Sequence, residues 1–249
     1  MKIVCMIPAR GGSSRFPGKP LAPILGRSML EHVYKRTALA ASLSEVYVAT
    51  CDDEICDAVT AFGGRAIMTS DRHERASDRV AEAAADIDAD IIVMVQGDEP
   101  MVHPDMIEAA VAPMLQNSGI ACVNLKLRID DEADFNDRNT IKVVTDSQGG
   151  ALYMSRQPIP DAQGQSFERI NAFKQVCIMP FRRDALLCFA ELAPTTLEIA
   201  ESIDMLRFLE HGYPVHMVET TLPTQAVDTP EDLARVEKLM RNDPLVSTY

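Results

Sequence analysis

Apolar runs alternate with amphipathic segments through the first half of the chain. Runs that predict strands lie at 2–8, 46–49, 65–68, 90–95 and 121–127. Segments with helical periodicity lie between them at 28–41, 54–62, 78–85 and 103–115. The run 90–95 is continuously apolar after its first residue, which is typical of a central strand buried on both faces. This order predicts an α/β fold with a doubly wound, mostly parallel sheet.

The pattern loosens between about residues 130 and 184. Strands are predicted at Lys142–Thr145, Ala151–Ser155 and 215–218, and helices at 185–192, 199–209 and Pro230–Met240. A loop rich in Pro, Gln and Gly covers 157–166. We therefore expect a single domain over residues 1–249 that contains a small inserted α+β subdomain at about 130–222.

Charge restricts the possible partners of the protein. The formal net charge is −13, and the sequence pI is near 4.8. Nucleic-acid-binding proteins usually carry a basic face, so we expect no nucleic-acid partner. A polyanionic substrate would need a local positive site, and metal ions would help to form one.

The cysteines and the apolar segments bear on the cellular compartment. The six cysteines form no C-x-x-C pair, and most lie in apolar runs, so we expect reduced core residues. The chain starts directly with a strand pattern and has no apolar run near the roughly 18 residues of a membrane span. We expect a cytoplasmic protein without a signal peptide or a membrane partner.

A glycine-rich loop follows the first predicted strand within residues 7–20. Gly11 and Gly12 allow a close backbone approach, and successive N–H groups in such loops form anion-binding concavities. The cations of this loop are Arg10, Arg15 and Lys19. The loop is not a Walker motif, because Pro20 follows Lys19. We expect a triphosphate cradle; the alternative is a glycine-rich turn with surface cations.

Two acidic positions are candidates for a divalent cation. Asp98 follows the most apolar strand in Gln-Gly-Asp-Glu-Pro, and Asp228 lies in Val-Asp-Thr-Pro-Glu-Asp. Carboxylates at strand ends suit Mg²⁺, which would neutralise phosphate oxygens. The alternatives are that Asp98 caps the helix after Pro104 and that Asp228 is the N-cap of the last helix.

A second group of cations follows the third predicted strand. Its members are Arg72, His73, Arg75 and Arg79. They could surround phosphates or a substrate carboxylate, or they could form a solvated surface run. His73 has no second His or Cys at ligand spacing, which disfavours a metal-binding role.

Five separated segments together resemble the 3-deoxy-manno-octulosonate (KDO) cytidylyltransferases. These segments are 7–21, 69–79, 96–100, 151–156 and 227–233. The resemblance extends from residue 1 to about 240, and the Arg-Gly-Gly-Ser segment is also similar to the acylneuraminate cytidylyltransferases. It implies a nucleotide-diphospho-sugar transferase-like, Rossmann-like fold and a homodimer, with the subdomain at 130–222 serving acceptor binding and dimerisation.

The resemblance also implies the reaction. The anomeric hydroxyl of an acidic sugar attacks the α-phosphate of CTP, pyrophosphate leaves, and Mg²⁺ organises the phosphates and the sugar. Such transfers depend on positioning and charge neutralisation more than on covalent chemistry.

Site residues follow from the resemblance by position. The nucleotide-binding set is Ala9, Arg10, Gly11, Ser13, Arg15, Lys19, Arg79 and Gln96. Asp98 and Asp228 are the metal ligands and, with Lys19, the catalytic set. The acceptor-binding set is Arg75, Arg156, Gln175 and Asp204, with Arg156 on the sugar carboxylate.

Departures from the family pattern lie in the acceptor half. Gln175 stands where the family has a His, and Asp204-Met205 stands where it has Glu-Gln. Two alternatives therefore stay open: CMP activation of a different acid (an amino-KDO, a nonulosonic acid or a phosphonate), or a nucleotide-binding regulator without catalysis. Presence of Asp98, Asp228 and Lys19 together argues against the regulator.

Overall fold

The computed structural model describes residues 1–12, 16–161, 163–164 and 166–249. The strands are β1 (Ile3–Ala9), β2 (Pro23–Ile24), β3 (Arg27–Ser28), β4 (Glu45–Thr50), β5 (Ala66–Met68), β6 (Ile91–Val95), β7 (Val123–Arg128), β8 (Lys142–Thr145), β9 (Ala151–Ser155), β10 (Phe173–Val176), β11 (Ile178–Arg182) and β12 (His216–Thr220). The α-helices are α1 (Met29–Thr37), α2 (Asp53–Ala61), α3 (Ala76–Ala84), α4 (Pro104–Gln116), α5 (Glu132–Asn136), α6 (Arg183–Glu191), α7 (Thr196–Glu201), α8 (Met205–Glu210) and α9 (Pro230–Met240). Short 3-10 helices lie at Lys19–Leu21, Phe167–Arg169 and Pro244–Thr248.

One sheet has the strand order β11-β6-β1-β4-β5 within the described residues. Strands β6, β1, β4 and β5 are parallel, and β11 pairs antiparallel with β6 at the edge. The predicted mostly parallel sheet is therefore confirmed. Its carboxyl edge is where ligands bind in open α/β sheets.

Two apolar cores cover the two faces of this sheet. Ile3, Cys5 and Ile7 of β1 pack in the core that includes α1, α2 and α4. Val4 and Met6 point the other way, into the core that includes α3, α6 and α8. Every residue of β1 is buried, as expected for a central strand with helices on both faces.

A second sheet has the order β12-β7-β10-β8-β9 in the described part of the chain. Its pairs are antiparallel except for β12 with β7. Its strands come from residues 123–220, and β11 returns from this region to the first sheet. A bridge between Cys122 and Phe181 links the start of β7 to β11.

One predicted helix is wrong. The segment 199–209 forms two short helices, α7 and α8, because Ser202 adopts a left-handed conformation with φ of 55°. The guanidinium of Arg156 donates to the carbonyl of Ser202, and that of Arg75 donates to its hydroxyl. These contacts, absent from the hydrophobic pattern, hold the break in place.

Strands β10 and β11 are missing from the sequence prediction. β10 carries Lys174 and Gln175, which interrupt an apolar pattern, and β11 contains Pro180. Proline is tolerated because β11 is an edge strand. Smaller differences occur at the ends of α1, which ends at Thr37, and of α3, which begins at Ala76.

No helix in the residues described above is long and apolar enough to cross a membrane.

Candidate functional site

Two neighbouring pockets open near the carboxyl ends of β1 and β6. The first pocket is formed by the end of β1, the loop after it and the start of α3. The second pocket is formed by residues around β8, β10, the α7–α8 junction and the segment before α9. Gln96, Asp98 and Asp228 line both pockets. These three residues therefore lie where a ligand in one pocket would meet a ligand in the other.

Gly97 allows the ends of β1 and β6 to approach closely. A Cβ atom at this position would lie 2.7 Å from the carbonyl oxygen of Pro8. Real Cβ atoms do not approach backbone oxygens so closely, so a larger residue would separate the two strand ends. The glycine thus brings Asp98 next to the loop that follows β1.

Lys19 lies at the junction of the two pockets. Its Nζ is 2.8 Å from Asp98 Oδ2 and 3.7 Å from Asp228 Oδ1. It also donates to the carbonyl of Val227 at 2.9 Å. The predicted catalytic set of Lys19, Asp98 and Asp228 is therefore brought together in space, although the three residues are far apart in sequence.

Neither aspartate caps a helix, so both alternative interpretations are wrong. The N-cap of α9 is Thr229, whose hydroxyl accepts from Asp232 N, and the Asp232 carboxylate accepts from Thr229 N. The N-cap of α4 is His103. The carboxylates of Asp98 and Asp228 instead contact the ammonium of Lys19.

Glu99 is a buried carboxyl group that is absent from the predicted site residues. It is 3 % exposed, accepts from the Thr224 hydroxyl at 3.0 Å and accepts from Cys177 N at 3.3 Å. Burial, followed by the charge of Asp98, raises the pKa of Glu99 to about 7. Glu99 ties the β10–β11 connection to the segment that leads to Asp228. Its only sequence signal is the acidic pair after β6.

The donor chemistry at the junction fits Mg²⁺. Mg²⁺ is usually held by one or two protein carboxylates, with water and substrate phosphates as the other ligands. Asp98 and Asp228 supply two carboxylates around one point, which Lys19 Nζ marks. Among the described residues no cluster of three or more His, Cys, Asp or Glu could hold a metal ion. Two carboxylates at one point match a metal that takes its other ligands from water and a substrate.

Of the described residues in the loop after β1, some line the first pocket and others do not. Ala9, Arg10 and Gly12 border it. Gly11 is not among the lining residues; its N–H donates to Asp52 Oδ2 at 2.8 Å, and its carbonyl accepts from Gly18 N. The predicted nucleotide-binding residues Ser13 and Arg15 lie outside the described residues.

Arg79 carries a buried nitrogen with no hydrogen-bond partner. The residue is 2 % exposed, and its Nη1 contacts Thr69 Oγ1 at 2.5 Å and the Ser70 carbonyl at 3.2 Å. Its Nη2 is buried and unpaired. Arg79 borders the first pocket, where an anionic ligand could satisfy this donor.

The other cations of the 72–79 segment are held by protein groups. His73 contacts Glu82, and Arg72 contacts the Ser70 hydroxyl. Arg75 donates to Ser202 Oγ at 2.7 Å. The resemblance places Arg75 with the acceptor, but here it borders the first pocket and is not among the residues of the second.

Arg156, Gln175 and Asp204 all line the second pocket. Arg156 donates to three backbone carbonyls, those of Glu201, Arg138 and Ser202. A guanidinium has five N–H groups, so donors remain for a substrate carboxylate. Gln175 Nε2 donates to Asn124 Oδ1 at 2.5 Å. Burial raises the pKa of Asp204, which accepts from Ser77 N and Oγ.

A buried network of ion pairs joins α3, α7 and α8. Arg207 of α8 contacts Glu198 of α7 at 2.7 Å and Asp78 of α3 at 2.7 Å. The side chains of Arg207 and Glu198 are 3 % and 1 % exposed. Burial alone would lower the pKa of Arg207, but the hydrogen bonds to Glu198 and Asp78 raise it overall. The network connects α3, which carries Arg79, to α7.

Comparison with known proteins places the chain in a family. A family model described as cytidylyltransferase matches residues 4–239. A 3-deoxy-manno-octulosonate cytidylyltransferase of Geobacter metallireducens is 51 % identical, over 97 % of this chain and 99 % of the relative. The chain belongs to the 3-deoxy-manno-octulosonate cytidylyltransferase family. A relative with the same name from Geobacter sulfurreducens is 49 % identical, over 96 % of this chain and its own full length.

Solved structures agree with this family. A structure of CMP:2-keto-3-deoxy-manno-octonic acid synthetase complexed with CTP has a TM-score of 0.89 and 40 % identity. It matches 98 % of this chain and 100 % of its own. A 4-diphosphocytidyl-2C-methyl-D-erythritol synthase of Anaerococcus prevotii, at 15 % identity and a TM-score of 0.64, shares the fold; 97 % of this chain and 99 % of that one are matched.

Proposed function

We propose that this protein transfers the CMP group of CTP to the anomeric hydroxyl of 3-deoxy-manno-octulosonate and releases pyrophosphate. One observation carries the proposal: two pockets meet at Asp98 and Asp228, and Lys19 contacts both carboxylates at their junction. A reaction between two bound substrates needs such a shared boundary. The family and its named relatives support CTP as donor and this sugar acid as acceptor.

The first pocket is proposed to hold the triphosphate. Arg10, Lys19 and Arg79 are cations that line it, and the unpaired Nη2 of Arg79 gains a partner when an anion binds. In a protein of net charge −13, these local cations allow a polyanion to bind. Gln96 lies at the boundary and is proposed to contact the nucleotide.

Asp98 and Asp228 are the residues that would hold Mg²⁺. The bound ion would neutralise phosphate charge as it develops on the pyrophosphate leaving group. The two aspartates keep Lys19 beside the reacting phosphate, and Lys19 contributes a second positive charge there. The sugar oxygen bonds to the α-phosphorus, the bond from that phosphorus to the pyrophosphate oxygen breaks, and the hydroxyl proton passes to solvent.

The second pocket is proposed to hold the acceptor. Arg156 offers its remaining N–H groups to the sugar carboxylate, and Gln175 and Asp204 offer polar contacts to its hydroxyls. We keep Arg75 as a positioning group for the α7–α8 junction, because its guanidinium contacts Ser202 and Asp204, which line the second pocket, while Arg75 itself lines the first. The homodimer, the cytoplasmic location and the role of residues 130–222 in acceptor binding and dimerisation stay predictions.

Pyrophosphate release tests the proposal. The purified protein is incubated with CTP and Mg²⁺ and with KDO, an amino-KDO, a nonulosonic acid or a small phosphonate in turn. We expect pyrophosphate with KDO at the highest kcat/KM of the panel, and CTP to be preferred over ATP and GTP. No release with any acid would contradict an enzymatic role. If another acid has a higher kcat/KM than KDO, that acid is the preferred acceptor and KDO is not.

A further inference from the structure

Lys142 is a buried lysine whose ammonium is fully hydrogen-bonded to backbone. The residue is 0 % exposed and lies on β8. Its Nζ donates to the carbonyls of Asp137 at 2.7 Å, Thr140 at 2.6 Å and Arg156 at 2.8 Å. An ammonium has three protons, so this carbonyl cage uses all of them. The family resemblance assigned no role to Lys142.

All three carbonyls of the cage belong to residues that line the second pocket. Asp137 and Thr140 are on the loop before β8, and Arg156 follows β9. A second contact joins the same two segments, since Arg156 Nη1 donates to the carbonyl of Arg138 at 3.1 Å. The ammonium therefore fixes the loop 137–140 and the backbone of Arg156 relative to each other.

Joining two segments through a buried cation has a free-energy cost. Burying an ammonium is unfavourable unless it is fully paired, and neutral side chains can hold a turn without that cost. The charge of Lys142 has a consequence that a neutral residue would lack: it adds a fixed positive charge beside the pocket that accepts an acid. We infer that Lys142 is a positioning residue for the acceptor, whose ammonium holds Arg156 and the loop 137–140 in the arrangement that binds the sugar acid. This inference rests on the proposed function.

The charge of Lys142 is sensitive to pH in the alkaline range. Burial is the main cause that lowers its pKa, to about 8. The charged groups that surround it are Asp137 and Arg138 on its own loop, Arg156 after β9, Glu201 on α7, and Lys174, which is opposite Lys142 on β10. The two acids raise the pKa and the arginines lower it. Loss of the proton removes one donor from the cage.

The unmodified protein provides the first test. Apparent KM values for KDO and for CTP are measured between pH 7 and pH 9.5. A group with a pKa near 8 is about tenfold less protonated at pH 9 than at pH 7, so we expect KM for KDO to rise about tenfold. KM for CTP should change by less than about twofold over the step from pH 7 to pH 9, because the cage lines only the second pocket. A KM for KDO that does not change would overturn the inference.

Substitution provides the second test. Lys142→Met should raise KM for KDO at pH 7 at least about tenfold and leave KM for CTP within about twofold. Lys142→Arg keeps a cation that does not titrate, so it should restore part of the affinity and flatten the rise of KM with pH. Lys126→Met is the matched control: Lys126 lies on β7 of the same sheet, contacts Thr145 and the Phe173 ring, and does not line the second pocket.

The outcomes separate this inference from the proposed function. No turnover of KDO by the unmodified protein rejects the function itself. Normal turnover with an equal rise of both KM values in Lys142→Met means a general structural role and rejects the inference. If Lys142→Met does not fold, the pH series on the unmodified protein and on Lys142→Arg decides.

Discussion

The two pockets use their cations differently. In the first pocket, Lys19 contacts two carboxylates, and Arg79 keeps one nitrogen unpaired at the pocket edge. At the second, Arg156 and the buried Lys142 next to it donate to backbone carbonyls, while Lys174 contacts the Asp134 carboxylate. Lys19 and Arg79 therefore lie where they can contact a phosphate ligand in the first pocket. Arg156 and Lys142 thus hold carbonyl groups of a loop and of the α7–α8 junction, which lie outside the strands.

The different partners of these cations follow from the sheet next to which each pocket lies. The first pocket lies at the carboxyl ends of parallel strands. The loops that follow these strands meet at this edge because the strands run in the same direction. The second depends on a mostly antiparallel sheet, a loop and a helix break, which must be held by side chains. We therefore expect substitutions at the junction to affect chemistry, and substitutions in the second region to affect acceptor affinity or stability.

The largest effect is expected at the shared boundary. Asp98→Asn and Asp228→Asn should each lower kcat about a thousandfold or more, since each removes a charge that stabilises the transition state by several kcal/mol. Pyrophosphate release at saturating Mg²⁺ measures kcat, and thermal melting checks the fold. Asp130→Asn is the control, because the Asp130 side chain is 84 % exposed. Near-normal turnover of either variant would contradict the metal assignment of that residue.

The next largest effect is a loss of stability expected from the buried ion network, in which Arg207 of α8 contacts Glu198 of α7 and Asp78 of α3. Glu198→Gln leaves the buried guanidinium of Arg207 with one charged partner fewer, and breaking a buried pair costs about 3–5 kcal/mol. Urea unfolding measures the loss. Glu237→Gln is the control: its partner Arg241 is 64 % exposed, and such surface pairs contribute about 0.5 kcal/mol. Equal stability of both variants would show that the network does not hold α7 and α8 to α3.

A smaller effect is expected on the affinity for CTP when the Lys19 ammonium is removed. Lys19→Ala should weaken CTP binding about 10- to 100-fold, since an ammonium is lost from a partly desolvated phosphate contact. Calorimetric titration measures the affinity, with the exposed Lys238→Ala on α9 as the control. The same CTP affinity in Lys19→Ala and in the unmodified protein would rule out this loop as the phosphate cradle.

The first region was largely predictable from sequence. Each strand of the parallel sheet from β1 to β6 has an apolar run, and the loop after β1 and the acids after β6 hold the predicted site residues. Lys19 and Asp98 could therefore be placed on one edge from the strand order alone. Asp228 was a candidate ligand from the sequence, but its place beside Asp98 required the family resemblance, because no local pattern places the start of α9 near β6.

The second region was predicted less well for physical reasons. The cage of Lys142 is formed by carbonyls, which all residue types share, so no sequence pattern reveals it. Likewise, Ser202 breaks the predicted helix through contacts with distant arginines. Such features depend on tertiary contacts that override local propensity.

The smallest effect is expected at Gln175, where the chain departs from the family pattern. Gln175 lines the second pocket, and its Nε2 donates to Asn124 Oδ1 and lies 3.7 Å from Met179 Sδ, so we expect its carbonyl oxygen to be the group that accepts from the acceptor sugar. Gln175→Met removes one neutral acceptor, and a neutral hydrogen bond contributes about 1 kcal/mol, so kcat/KM for KDO should fall about fivefold. The order of the acids in the panel should stay the same, because Arg156 continues to recognise the carboxylate. Gln148→Met, on an exposed turn between β8 and β9, is the control. A fall of more than a hundredfold, or a new preferred acid, would mean that Gln175 determines acceptor choice and that its difference from the family histidine has changed the substrate.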